Sequence, residues 1–281
     1  MVDRAGVLGN APLVFVVCGV TFRSRESMPA WIGAIQERVY QRFPVLARVH
    51  QRSGPGGIEI SVDPAEFDDS QVGSSFVFMS EDRSRGFQLW KGGVVLQSKA
   101  YGKFNDFCDD LQCVLDALLA SAQHLDVETF GIRYVDHIRP EFSDDDLSQY
   151  ISKELLPYTP AWSSFPGELQ GGSSRQVYSV GDAGLHVRVV TGASAYVIAD
   201  DLLAAYIATV TPSESEESPV PRLRFNEGVL DIDAFKSGLD WKIEGSTKVA
   251  AEVRVLHDLC NDYFRNICSD KAFIFWKEVK T

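Results

Sequence analysis

The chain has 281 residues, 45% hydrophobic and 23% charged, enough apolar material for one large core or two of ordinary size. Its formal net charge of -12 opposes a non-specific hold on nucleic acid or an anionic membrane, because phosphate binding relies on clustered Lys and Arg. No stretch approaches about 18 uninterrupted apolar residues, and residues 1–10 lack the basic start and long apolar run of an export signal, so a cytoplasmic protein without a membrane span is expected.

Leu13 to Phe22 (LVFVVCGVTF) is β-branched and aromatic and reads as a strand buried on both faces. Ser27 then opens a helix from about Met28 to Arg42, with Trp31, Ile32, Ile35, Val39 and Phe43 at helical spacing before Pro44 ends it. Leu46 to Gln51 and Ile58 to Val62 are short strands around the loop Gly54-Pro-Gly-Gly57. Ser75 to Ser80, Gly86 to Lys91 and Val94 to Lys99 form an antiparallel meander, the last pair joined at Gly92-Gly93.

From Phe104 to Ala122 the residues Phe104, Phe107, Cys108, Leu111, Val114, Leu115, Leu118, Leu119 and Ala122 trace one apolar stripe on a 3.6-residue period. Asp106, Asp109 and Asp110 crowd the first turns, where the helix dipole favours carboxylates. The next strand, Phe130 to Ile138, alternates Phe130, Ile132, Tyr134 and Ile138 with Gly131, Arg133, Val135 and His137, so one face packs and the other shows a basic row.

Ser143 with Asp144, Asp145 and Asp146 predicts the N-cap and first turn of a helix ending near Pro157. A Pro, Gly and Ser-rich loop from Thr159 to Ser174 leads to a hairpin, Arg175 to Val180 and Leu185 to Thr191 about Gly181-Asp-Ala-Gly184. Tyr196 to Val210 fits either a helix capped at Asp200 and Asp201 or strands joined by a turn. Ser213 to Ser218 is a charged loop, and Arg222 to Ile232 is strand-like. The last long helix carries Val249, Val253, Leu256, Cys260, Tyr263, Phe264 and Ile267 on one stripe and is followed by the apolar run Ala272 to Trp276. The fold class expected is therefore α+β in two similar halves, each an antiparallel sheet with long helices packed on one face. The halves are residues 1–142 and 143–281, or one inseparable body if they share packing.

Seven landmarks in this order resemble a sporadically distributed bacterial family of uncharacterised proteins of roughly this length. They are Ala11-Pro-Leu-Val-Phe-Val-Val, Phe43-Pro44, Ser80-Glu-Asp82, Tyr101 followed by Phe107, Arg133-Tyr134, Leu230-Asp-Ile-Asp233, and Leu256-His257 leading to Phe264. In that family the Arg-Tyr strand continues to an Asn; here that place holds Asp136. The family's patchy distribution implies mobile defence or toxin-antitoxin cargo.

Arg133, His137 and Arg139 are the candidate binding residues, because donors sharing a strand face converge on a phosphate or carboxylate of a ligand or partner. The plainer alternative pairs Arg133 with a carboxylate on the next strand and leaves His137 exposed. Trp162, beside Phe165 in the Pro-rich loop, is the candidate anchor for a protein partner. Asp231 and Asp233 point the same way from a strand and are the candidate metal ligands, against the plainer reading of a strand end and cap.

The cysteines Cys18, Cys108, Cys113, Cys260 and Cys268 read as reduced, buried thiols, and Cys108 and Cys113, roughly 140° apart around one helix, do not converge as zinc requires. His257 borders an apolar stripe and reads as a half-buried structural histidine. No glycine-rich cofactor pattern opens a helix, so no cofactor is expected. The leading expectation is a non-enzymatic cytosolic accessory subunit acting through protein contacts in a bacterial defence or toxin-antitoxin type module. The alternative is a small-ligand-binding protein or enzyme using a cleft between sheet and helices.

Overall fold

The computed structural model describes residues 4, 6, 8–54, 57–64, 75–157, 170–193, 195–209 and 220–277, with the backbone alone at 50–54 and 57–64. The strands among them are β1 (Leu13–Phe22), β2 (Val45–Gly54), β3 (Gly57–Pro64), β4 (Ser75–Met79), β5 (Arg85–Trp90), β6 (Gly93–Ser98), β7 (Leu125–Ile138), β8 (Gly171–Val180), β9 (Ala183–Gly192) and β10 (Gly228–Ile243). The helices are α1 (Ile32–Val39), α2 (Phe104–Ala122), α3 (Leu203–Ala208), α4 (Thr247–Ile267) and α5 (Asp270–Lys277). All ten strands form one antiparallel sheet in the order β3-β2-β4-β5-β6-β1-β7-β10-β9-β8. This is a mixed helix and sheet architecture. Strands from both sides of residue 142 are direct neighbours, because β7 pairs with β10.

β1 sits inside the sheet between β6 and β7, which is why its run is apolar on both faces. Val16, Cys18, Val20 and Phe22 pack under the long helices, while Phe15 and Val17 face the opposite layer. On the first face α1, α2 and α4 cover the sheet, and α2 buries Leu111, Val114, Leu115 and Leu118 completely. Each such side chain contributes roughly 1.5–3 kcal/mol. Asp110, expected as a first-turn dipole partner, is instead a 3% exposed carboxylate within this packed face. Arg42 Nη1 and Arg85 Nη1 donate to its two oxygens at 2.6 and 2.7 Å, tying the residues after α1 and the start of β5 to α2.

On the second face Val197, Ile198, Leu202 and Ala205 close over Phe15, Val135 and Val229. The 196–209 segment is thus helical from Asp200, through a 3-10 turn into α3. Further along the same face Phe235 lies across Gly131 and Gly184; a Cβ on Gly131 would sit 2.9 Å from the Ala234 carbonyl and 2.8 Å from Phe235 Cβ.

Three expectations are corrected. The helix predicted from Ser143 is replaced by two 3-10 turns, Leu147–Gln149 and Lys153–Leu155. Its acids are used otherwise: Asp146 caps the Ser148 N–H, and Asp145 accepts from nearby Tyr150 and from distant Lys271. Ile151 meanwhile bridges to Cys268, drawing the chain out of helical geometry. The strand predicted from Arg222 begins only at Gly228 and runs to Ile243. Gly171 to Ser174, predicted as loop, already pair with β9. The charged loop Ser213 to Ser218 lies outside the described residues. No helix among the described residues is long and apolar enough to cross a membrane.

Candidate functional site

A cleft of about 610 Å³ opens between the helical face of the sheet, α4, the start of α2 and the 8–13 segment leading into β1. Strand parity places Tyr134 and Asp136 on this face of β7, with Ile232 of β10 registered beside Tyr134. From α4 come His257, Cys260, Asn261 and Phe264, at the i, +3, +4 and +7 positions that share one side of a helix. Tyr101 and Phe104, where β6 passes into α2, complete the wall.

The aromatic and polar groups are interlocked. The Tyr134 hydroxyl and His257 Nδ1 share a hydrogen bond at 2.7 Å, and the Tyr101 hydroxyl lies 3.4 Å from that of Tyr134. Phe104 stacks on the His257 ring at 4.1 Å, and the Tyr101 and Tyr134 rings meet at 88°. Burial lowers the pKa of the half-buried His257 and pushes the Tyr101 phenol up to about 12, so both are neutral at pH 7. Burial likewise raises the Cys260 thiol, which donates to the Ile132 carbonyl at 3.9 Å and is not set up as a nucleophile.

Asp136 stands apart from this network. It is 5% exposed, yet it has no hydrogen-bond or ion-pair partner among the described residues. Burial, and then the charge of Asp231 on the neighbouring strand, push its pKa up to about 8. Buried carboxylates are normally paired, and this one, on a cleft wall, is not.

The residues singled out from sequence separate into other places. Arg133 faces the opposite side of the sheet, where Nε and Nη2 donate to the two oxygens of Asp231 at 2.7 and 2.6 Å and Nη1 donates to Asp201 at 2.5 Å. Burial works against its charge, but the two carboxylates outweigh it. Asp231 and Asp233 share this face as parity required, but both oxygens of Asp231 are taken by Arg133. Burial first, opposed by the Arg133 charge, raises Asp233 to about 6. Among the described residues no group of three or more His, Cys, Asp or Glu side chains is placed to hold a metal ion.

His137, expected at the surface in the plainer reading, is 6% exposed. Arg139 Nε donates to its Nδ1 at 3.1 Å, so the ring proton sits on Nε2 and is donated to Glu227 at 2.9 Å. His137, Arg139, Glu227 and Arg224 line a second cleft of about 590 Å³, which Arg133 does not reach. Ala11 and Pro12 form the wall common to both clefts. Trp162 lies outside the described residues.

The sequence marks Asp136 only as a departure from the resembled family's Asn and does not make it a candidate site residue, although a further signal was present. In Phe130, Ile132, Tyr134, Asp136, Ile138 it is the one charged residue at an inward position. The clustering of Tyr101 and Tyr134 with His257 joins chain segments more than a hundred residues apart and carries no local pattern. Comparison with protein-family models, with curated proteins and with solved structures gives no match to this chain.

Proposed function

We propose that the chain is a small-ligand-binding protein whose site is the cleft between β7, β10, α2 and α4, with Asp136 as its polar anchor. The single observation carrying this is the unpartnered, 5% exposed Asp136 carboxyl on the wall of a 610 Å³ cleft. That volume falls in the range of about 300–1,000 Å³ typical of small-molecule sites, with mostly apolar walls and a few convergent polar groups. The interlocked Tyr101, Tyr134 and His257 supply pre-organisation, which lowers the cost of ordering a site around its ligand. The protonated, carbonyl-bonded Cys260 supports binding rather than covalent turnover. The two-halves duplication belongs to the same proposal, supported by α2 and α4 touching on one sheet face with the cleft at their junction.

The test is thermal shift of the purified chain across a panel of nucleotides, metabolites, amines and carboxylates, repeated with Asp136→Asn and His257→Ala. A ligand-dependent rise in Tm that is lost in Asp136→Asn supports the reading. Ligands that stabilise wild type and Asp136→Asn equally would overturn it.

A second reading, the accessory subunit acting through protein contacts in a bacterial defence or toxin-antitoxin type module, draws support from β8. This strand ends the sheet, and among the described residues no strand pairs with its outer edge. Val177 and Val180 stand 61% and 44% exposed on its two faces, flanking an edge to which an extended segment of a protein partner adds as a further strand. Co-purification of a stoichiometric partner, lost in the Val177→Lys and Val180→Lys double variant, is the expected result; a chain recovered alone counts against it.

A further inference from the structure

Taking the cleft as the ligand site, we infer that its ligand class is a protonated organic amine, an ammonium head held by Asp136 with a hydrocarbon body along the apolar wall. An ionised carboxylate only accepts hydrogen bonds, and Asp136 finds no donor in the chain. Two neighbours on the wall are already committed. The Tyr134 hydroxyl serves His257 and Tyr101, and the Cys260 thiol serves Ile132. Of the two cations on the wall, Arg265 donates through Nε to Asn261 and through Nη2 to the Gly6 carbonyl, with its buried Nη1 left without a partner among the described residues, and Lys103 is exposed at the start of α2. Neither makes an ion pair with Asp136.

An ammonium meets each need at once. Its N–H groups satisfy both carboxylate oxygens, and its charge offsets that of Asp136 in a dry site. The perpendicular Tyr101 and Tyr134 rings offer aromatic surface that attracts cations. Leu8, Leu13 and Ile232 are left for a hydrocarbon body. An anionic ligand meets the charge of Asp231 through the sheet and, where Asp136 is ionised, that of Asp136 as well, and a neutral donor leaves an ionised Asp136 uncompensated.

Proton release follows. The groups facing Asp136 are Tyr134 on its own strand, Asp231 through the sheet, Tyr101 and Lys103 before α2, His257, Cys260 and Arg265 on α4, and Cys268 beyond it. With the carboxyl titrating at about 8 in the free protein, most of it carries a proton at pH 7, and an arriving ammonium expels that proton.

The experiment is calorimetric titration of the full chain at pH 7 with 2-phenylethylamine, 2-phenylethanol and 3-phenylpropionate, in two buffers of different ionisation heat. The amine is expected to bind about tenfold or more tightly than the alcohol, with propionate weakest, and to release about one proton per amine bound. Asp136→Asn is expected to remove the amine's advantage and spare the alcohol. The proton count is measured on wild type, so the test holds even if the variant folds poorly. Alcohol or propionate binding as tightly as the amine, or amine binding with no proton release, would overturn the ammonium assignment and leave the cleft reading standing. No heat from any of the three at millimolar concentration would overturn both.

Discussion

Tyr134 and His257 are joined by a 2.7 Å hydrogen bond between the phenolic oxygen and Nδ1, which links the central strand β7 to helix α4. Tyr134→Phe leaves that ring nitrogen without its partner, and a loss of about 1–2 kcal/mol is expected by denaturant titration. The histidine itself sets a pH dependence. Burial holds its folded pKa below the ordinary 6.5, so the unfolded chain binds the proton more readily. Its contribution to stability is full above 6.5 and is lost as pH falls below that value. The Tm difference between wild type and His257→Gln is expected to shrink as pH is lowered from 7 to 5.

Asp136 has the opposite sign. Its folded value, about 8, lies above the ordinary 3.8, so ionising it in the folded cleft is unfavourable, and stability is lost as pH rises from near 4 through 8. Asp136→Asn is expected to be more stable than ligand-free wild type at pH 8, by on the order of 3 kcal/mol, with the gap closing toward pH 4. A constant gap across that window would show that the carboxyl does not titrate there.

On the other face, Arg133→Ala leaves the 4% exposed Asp231 without its two-pronged donor, and only Arg188 Nε, at 4.0 Å, remains near it. A loss of about 3 kcal/mol is expected, partly recovered by Asp231→Asn in the same background. Amine binding is expected to persist in Arg133→Ala, because neither residue of this pair lines the cleft, although the unpaired Asp231 charge acts on Asp136 through the sheet.

Asp110 gives a third stability test. Asp110→Ala removes both charged hydrogen bonds to Arg42 and Arg85, but those arginines are 43% and 41% exposed and recover water, so the expected cost is about 2 kcal/mol. A change below a few tenths of a kcal/mol would show that the two arginines do not hold α2 to its neighbours.

The frame was legible where a period runs long enough to be unambiguous. The stripes from Phe104 to Ala122 and from Val249 to Ile267 became α2 and α4, and the apolar run of β1 found its place inside the sheet. The failures were local patterns overridden by distant partners. Asp144 to Asp146 look like a helix start, yet Lys271, far along the chain, claims Asp145. Arg133 looked like a binding residue because sequence does not reveal that β10 places Asp231 beside it. Asp136 was marked by its parity on β7 and by standing where the resembled family has an Asn, and its isolation became visible when α4 and the 8–13 segment closed over it.

The most direct test of the cleft account is an NMR titration of the Asp136 carboxyl carbon in protein labelled at aspartate Cγ, assigned by comparison with Asp136→Asn. In the free protein the midpoint is expected near 8, falling when 2-phenylethylamine is added, because the ammonium stabilises the ionised form. A midpoint in the ordinary carboxylate range, about 4, unmoved by the amine, would contradict the account.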